Sequence, residues 1–198
     1  MNRYVKEKIN MISPNKIQFF RKENNYIIEK LAEELNMESR TYFNKAKGKT
    51  EFTATEIWML TMILNCSLDD LIKDVDEMND LEKAKFDKVL SLENNKEFNY
   101  DADMKVVDSL GYSIEDLNIL KSKDKDFKFN IVSGKKIKQY MTLNNNTTDE
   151  VSMYLGKQRR AFFNKVKGDT EFTATEIWIL TKIFGCKFKD LIKDLNID

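Results

Sequence analysis

Apolar residues recur three and four positions apart along most of the chain, separated by short polar breaks. That spacing predicts α-helix, and one proline and six glycines leave little to interrupt it. From the N-terminus the pattern predicts helices over 17–21, 27–35, 39–47 and 55–64, with a short fifth over 68–73. The breaks carry fitting turn chemistry. Asn36 and Gly156 each stand between a second and a third helix, and both residue types accept the left-handed conformation of a tight turn. Gly48 and Gly168 follow the third helices as left-handed caps. Thr53 with Glu56, Thr147 with Glu150 and Thr173 with Glu176 have the spacing of capping boxes. There the hydroxyl and the carboxylate each satisfy an amide at a helix start. An extended run is expected only in FKFNIVSG, residues 127–134.

The pattern repeats. Residues 43–74 and 163–194 align without a gap, and 23 of the 32 pairs are identical by direct count. The shared run EFTATEIW reads as scaffold: a cap, a core stripe of Phe52, Ile57, Leu60 and Leu64, and Trp58 beside it. Trp58 and Trp178 are expected to plug the core or to touch a neighbouring copy. A fainter half-copy lies between, where Phe98, Leu110, Ser113, Asp116 and Leu117 fall on Phe52, Leu64, Ser67, Asp70 and Leu71. A charged helical run over 78–95 replaces its front half, and helix 100–110 is expected to overlay 54–64. The fold class expected is all-α. A first unit spans 1–74, an acidic helical middle with the degenerate half-repeat spans 75–133, and a second unit spans 134–198.

Composition then narrows the function. A chain 41% apolar and 33% charged can build a packed core. It has no histidine, which removes the commonest general base and metal ligand. No glycine-rich phosphate loop, nucleophile elbow or metal-ligand spacing occurs. The acidic cluster of Asp74, Asp76, Glu77 and Asp80 lacks the glycine and spacing of a calcium loop. Neither enzyme nor cofactor nor metal is expected. No apolar run is long enough to cross a bilayer or reads as a signal peptide. Cys66 and Cys186, at equivalent positions, read as small buried hydrophobes in a reducing, cytoplasmic interior.

Charge changes the picture locally. The formal net charge is zero, yet residues 1–50 carry 11 Lys/Arg against 6 Asp/Glu, and 134–170 carry 8 against 3. The middle, 75–133, reverses the balance with 9 against 14. Basic groups thus gather around the third helices. They can face phosphate there, or complement the dipole at the helix C-terminus.

The stretch LAEELNMESRTYFNKAKGKTEFTATEI resembles the helix-turn-helix of phage-repressor-like (Cro/cI, XRE-type) DNA-binding domains. The likeness covers residues 14–74 and 135–194. It implies two tandem five-helix, lambda-repressor-like units, with Ala32 and Ser152 as the small residues where helix two packs on helix three. There are departures. Ile27 and Ile28 stand where the family often has a polar residue near phosphate, whereas the last copy has Thr147 and Thr148. Lys157 replaces the buried apolar residue that Met37 supplies, so that helix is re-angled or the lysine stem lies along apolar surface.

In that family the start of the third helix faces base edges in the major groove. Here those starts differ: Glu38, Ser39 and Arg40 against Gln158, Arg159 and Arg160. The resemblance implies a sequence-specific regulator of phage or mobile-element type, one chain on a pseudo-palindrome or on two unlike half-sites of double-stranded DNA. The candidate DNA-facing residues are Arg40, Thr41, Asn44, Lys45, Lys47 and Lys49 in the first copy. In the last they are Thr148, Gln158, Arg159, Arg160, Asn164, Lys165 and Lys167. A second class stays open: a phage-type interaction protein, such as an inhibitor of a host defence system, meeting a protein partner through the acidic middle. A homodimer is open in either class.

Overall fold

A computed structural model of the chain describes residues 9–94 and 130–194. The first described segment holds α1 (Pro14–Glu23), α2 (Ile28–Glu34), α3 (Ser39–Ala46), α4 (Ala54–Ile63) and α5 (Asp80–Asn94). The second holds α6 (Gly134–Leu143), α7 (Thr148–Leu155), α8 (Arg159–Lys167) and α9 (Ala174–Phe184). Among the described residues the fold is all-α, with β-pairing limited to three isolated bridges. No described helix is long and apolar enough to cross a membrane. The expected half-repeat at 96–117 lies outside the described residues.

The same order of elements builds both units. An extended stub leads to Ser13 or Ser133, whose hydroxyl caps α1 or α6 by accepting from the amide of Lys16 or Lys136. The stub also returns to the end of its unit. Ile12 bridges Ile72 and Val132 bridges Ile192, and the amides of Ser13, Lys73, Ser133 and Lys193 donate to Leu71, Met11, Leu191 and Ile131, each at 2.8 Å. The second unit therefore takes in Ile131 and Val132, ahead of residue 134. The short fifth helix expected over 68–73 is a single 3-10 turn at Asp69–Leu71, with its counterpart at Phe188–Leu191. Ile72 must be extended (φ −73°, ψ 140°) to pair with Ile12, and that ends the helix.

Within each unit the local signals act as the sequence suggests. Asn36, Gly48, Gly156 and Gly168 have φ of 52°, 73°, 65° and 91°. All three capping boxes close. Ala32 and Ser152 are buried, the latter donating its hydroxyl to the Thr148 carbonyl at 2.6 Å. The first unit's α2 lacks a side-chain cap, because Ile27 stands where Thr147 caps α7. Gly134 opens α6 against the backbone of Val166, whose carbonyl oxygen would lie 1.8 Å from any added Cβ.

Tyr42 and Phe162 occupy equivalent core positions and meet Phe52 and Phe172 edge-on, with centroids 6.4 and 6.2 Å apart. The Tyr42 hydroxyl is buried without a hydrogen-bond partner among the described residues, and burial pushes its pKa up to about 12. An acid whose pKa is raised by folding stabilises below its unfolded value and loses that stability as pH rises. The window here runs from about 10 to 12. Tyr42→Phe installs the counterpart's residue. It should add about 1 kcal/mol at neutral pH and abolish the alkaline loss, as read by urea unfolding at neutral and alkaline pH.

The two units meet through the repeated run itself. Thr53 and Thr173 form an antiparallel bridge, with Ala54 N donating to Phe172 O at 2.7 Å and Ala174 N to Phe52 O at 2.9 Å. Around it two further pairs of hydrogen bonds are reciprocated, whereas the Lys182–Asp69 ion pair at 3.3 Å has no counterpart. Thr55 N donates to Glu171 Oε1 at 2.7 Å and Thr175 N to Glu51 Oε1 at 3.1 Å. Met11 N donates to Thr175 Oγ1 at 3.1 Å and Ile131 N to Thr55 Oγ1 at 3.2 Å. Residue i meets j and j meets i, which is the signature of a two-fold contact. The run EFTATEIW is therefore an interface between the copies as well as a core stripe.

Helix α5 breaks this symmetry. Asn79 and Glu82 cap its start, and Glu82, only 3% exposed, is gripped by Lys73 Nζ at 2.7 and 2.8 Å. The helix then packs on α9 of the second unit, where Phe86 stacks on Trp178 at 5.6 Å. Lys85 donates to the Tyr154 carbonyl, and Lys88 lies over the Tyr154 ring at 5.6 Å. Trp178 thus contacts an element carried by the other half of the chain.

Candidate nucleic-acid interface

Helices α3 and α8 each bury one face and expose the other. Tyr42 is the buried residue of α3; Phe162 and Val166 are those of α8. On the open face Arg40, Thr41, Arg159, Arg160 and Lys167 are exposed and Asn44 and Asn164 half-buried; Lys47 and Lys49 follow α3 and Gln158 is the N-cap residue of α8, all three exposed, while Thr148, half-buried, begins α7. Arg159 lies 3.5 Å from Asp149, an exposed pair that contributes little. Two further exposed groups carry no signal in the sequence pattern. Phe43 and Phe163 stand 40% and 47% exposed, with Lys47 Nζ 4.1 Å and Lys167 Nζ 4.7 Å from their ring centres.

Lys45 and Lys165 are placed differently from the other candidates. Lys45 Nζ sits 2.8 Å from Glu56 Oε2 and donates to the Glu51 carbonyl at 2.8 Å. Lys165 Nζ sits 3.0 Å from Glu176 Oε2 and donates to the Glu171 carbonyl. Both tie a third helix to the capping box of the helix that follows, so their ammonium groups are engaged within the protein. Lys157 joins the same arrangement, with Nζ 2.9 Å from Glu176 Oε1. Its stem leads the charge to a buried carboxylate. The sequence does hold a trace of this pairing, a Lys with a Glu eleven residues later in both copies.

The reciprocal bonds lie at the starts of α4 and α9, and a third helix precedes that point in each unit. Ala46 precedes Thr53 by seven residues and Lys167 precedes Thr173 by six. The C-terminal end of each third helix therefore lies within about 20–25 Å of the bridge.

The remaining reactive groups are muted. Neither cysteine is in a disulfide, and burial raises both thiols, Cys66 to about 12 and Cys186 further. Among the described residues no cluster of His, Cys, Asp and Glu could hold a metal ion. Comparison with protein-family models, with curated proteins and with solved structures finds no significant match.

Proposed function

We propose that this chain is a sequence-specific DNA-binding regulator of phage or mobile-element type, a pseudo-dimer of two helix-turn-helix units in one polypeptide. The reciprocal pairing at Thr53 and Thr173 carries the reading. It is a two-fold contact between the units, and a two-fold relation of third helices is what pseudo-palindromic operators require, with half-sites about 34 Å apart. Their exposed ends are basic, and the unlike starts at 38–40 and 158–160 suit two unlike half-sites. Arg159 and Arg160 can bond guanine and Gln158 adenine, while Arg40 is the one arginine of the first reader.

Binding to the duplex recovered by selection from a random library should weaken steeply with salt. With 6–10 phosphate contacts the affinity falls about 10³–10⁵-fold between 50 and 200 mM. Arg159→Ala with Arg160→Ala should cost about 1–3 kcal/mol for each arginine that bonds a base, and Arg40→Ala less. A folded double variant that binds DNA like the parent would show that these arginines are not readers.

One observation favours the interaction reading. Ile27 is 62% exposed and Phe19 57%, both in the unit whose α2 lacks a hydroxyl at its start. If no duplex is recovered and salt has no effect, a protein partner becomes the better account.

A further inference from the structure

Between the two third helices some positions differ and some do not. Glu38, Ser39 and Thr41 face Gln158, Arg159 and Ala161, whereas Arg40, Phe43 and Lys47 have the identical counterparts Arg160, Phe163 and Lys167. At 3.6 residues per turn the spacing i, i+3, i+7 puts each trio on one stripe about 60° wide. The middle of that stripe is a phenyl ring that does no core packing. Tyr42 and Phe162, one residue earlier, fill that role, and the rings of Phe43 and Phe163 stand 40% and 47% exposed with a lysine ammonium held over each.

We propose that Phe43 and Phe163 read the C5-methyl group of a thymine at matching positions of the two half-sites, each between an arginine that faces a base and a lysine that faces phosphate. This rests on the DNA-binding reading above. A ring flanked by two cations fits a surface that is anionic at its edges and apolar at one point. The major groove offers that only at the thymine methyl. The two-fold contact joins two units that each carry the stripe, so both half-sites share this element while the unlike neighbours read what differs. Lys47 and Lys167, by holding the ring faces, leave the ring edges to meet the methyl.

The test uses the full chain and the selected duplex, with thymines replaced one at a time by uracil, which removes only the methyl. In either half-site a single such replacement should weaken the parent about four-fold, the worth of burying one methyl-sized group. Phe163→Ala should abolish the sensitivity in the last copy's half-site alone, and Phe43→Ala in the other. Phe163→Leu, which keeps an apolar tip, should retain part of it, with circular dichroism checking that each variant is folded. If the parent binds every uracil duplex equally, or if the sensitivity survives both alanine variants, this inference fails and DNA binding stands. If no duplex is recovered at all, both fail together.

Discussion

Replacing Glu176 with alanine should cost about 3–5 kcal/mol of folding stability, the range for breaking a buried ion pair from one side. The residue is 3% exposed, with Lys157 at 2.9 Å and Lys165 at 3.0 Å, and its carboxylate also accepts the Thr173 amide at 2.9 Å. Its removal strands the largely buried Lys165 ammonium, releases the exposed Lys157 to water and uncaps α9. Glu56→Ala, the same change in the first unit, should cost about 1–2 kcal/mol, mainly the missing cap. There the side chain is 23% exposed and faces Lys45. Glu176→Gln keeps an acceptor for the Thr173 amide and isolates the charge. Urea unfolding of the three variants decides the matter. Equal losses at 56 and 176 would mean that the deeper burial of Glu176 has no energetic consequence.

The junction between the units has a comparable dependence on two hydroxyls. Thr55 Oγ1 and Thr175 Oγ1 accept the amides of Ile131 and Met11, and both of those residues are fully buried. Valine has nearly the same shape as threonine and no acceptor. Each single Thr→Val change should cost about 1–3 kcal/mol, the penalty for a buried donor left unmade, and the pair about 2–6 kcal/mol. Thr→Ser at the same sites keeps the acceptor and should cost less. Amide exchange at Met11 and Ile131 should quicken in the valine variants together with the drop in stability. A double variant as stable as the parent would show that these bonds do not hold the units together.

What the sequence makes legible follows the range of each interaction. Capping boxes, left-handed glycines and helix positions depend on residues within one turn of each other, and they form as their spacing indicates. The fifth helix does not. Its fate depends on Ile12, sixty residues upstream, which requires an extended partner at Ile72. The repeated EFTATEIW is legible as a frame but not as a meeting surface, since hydrogen bonds between residues more than a hundred positions apart leave no local periodicity. Among the candidate DNA-facing residues, position on the open face of α3 or α8 is legible from helical phase. The engagement of Lys45 and Lys165 is not, because a lysine near a helix end looks the same whether it meets phosphate, a helix dipole or a glutamate. Phe43 and Phe163 are hidden for a related reason: an aromatic beside a core aromatic reads as core.

The antiparallel pairing at Thr53 and Thr173 is closed inside one polypeptide, so its formation does not depend on protein concentration. Two separate chains with a micromolar dissociation constant would be largely apart at nanomolar levels, whereas tethered partners meet at an effective concentration of about millimolar. Pairing of this kind survives dilution to a few molecules per cell. Inheritance differs as well. A substitution in a homodimer strikes both halves at once, but here each half of every reciprocal bond has its own codon. A change at Glu51 removes one bond across the axis and leaves that of Glu171 in place. The frame can therefore tolerate single lesions, while the two third helices are free to diverge without a second gene.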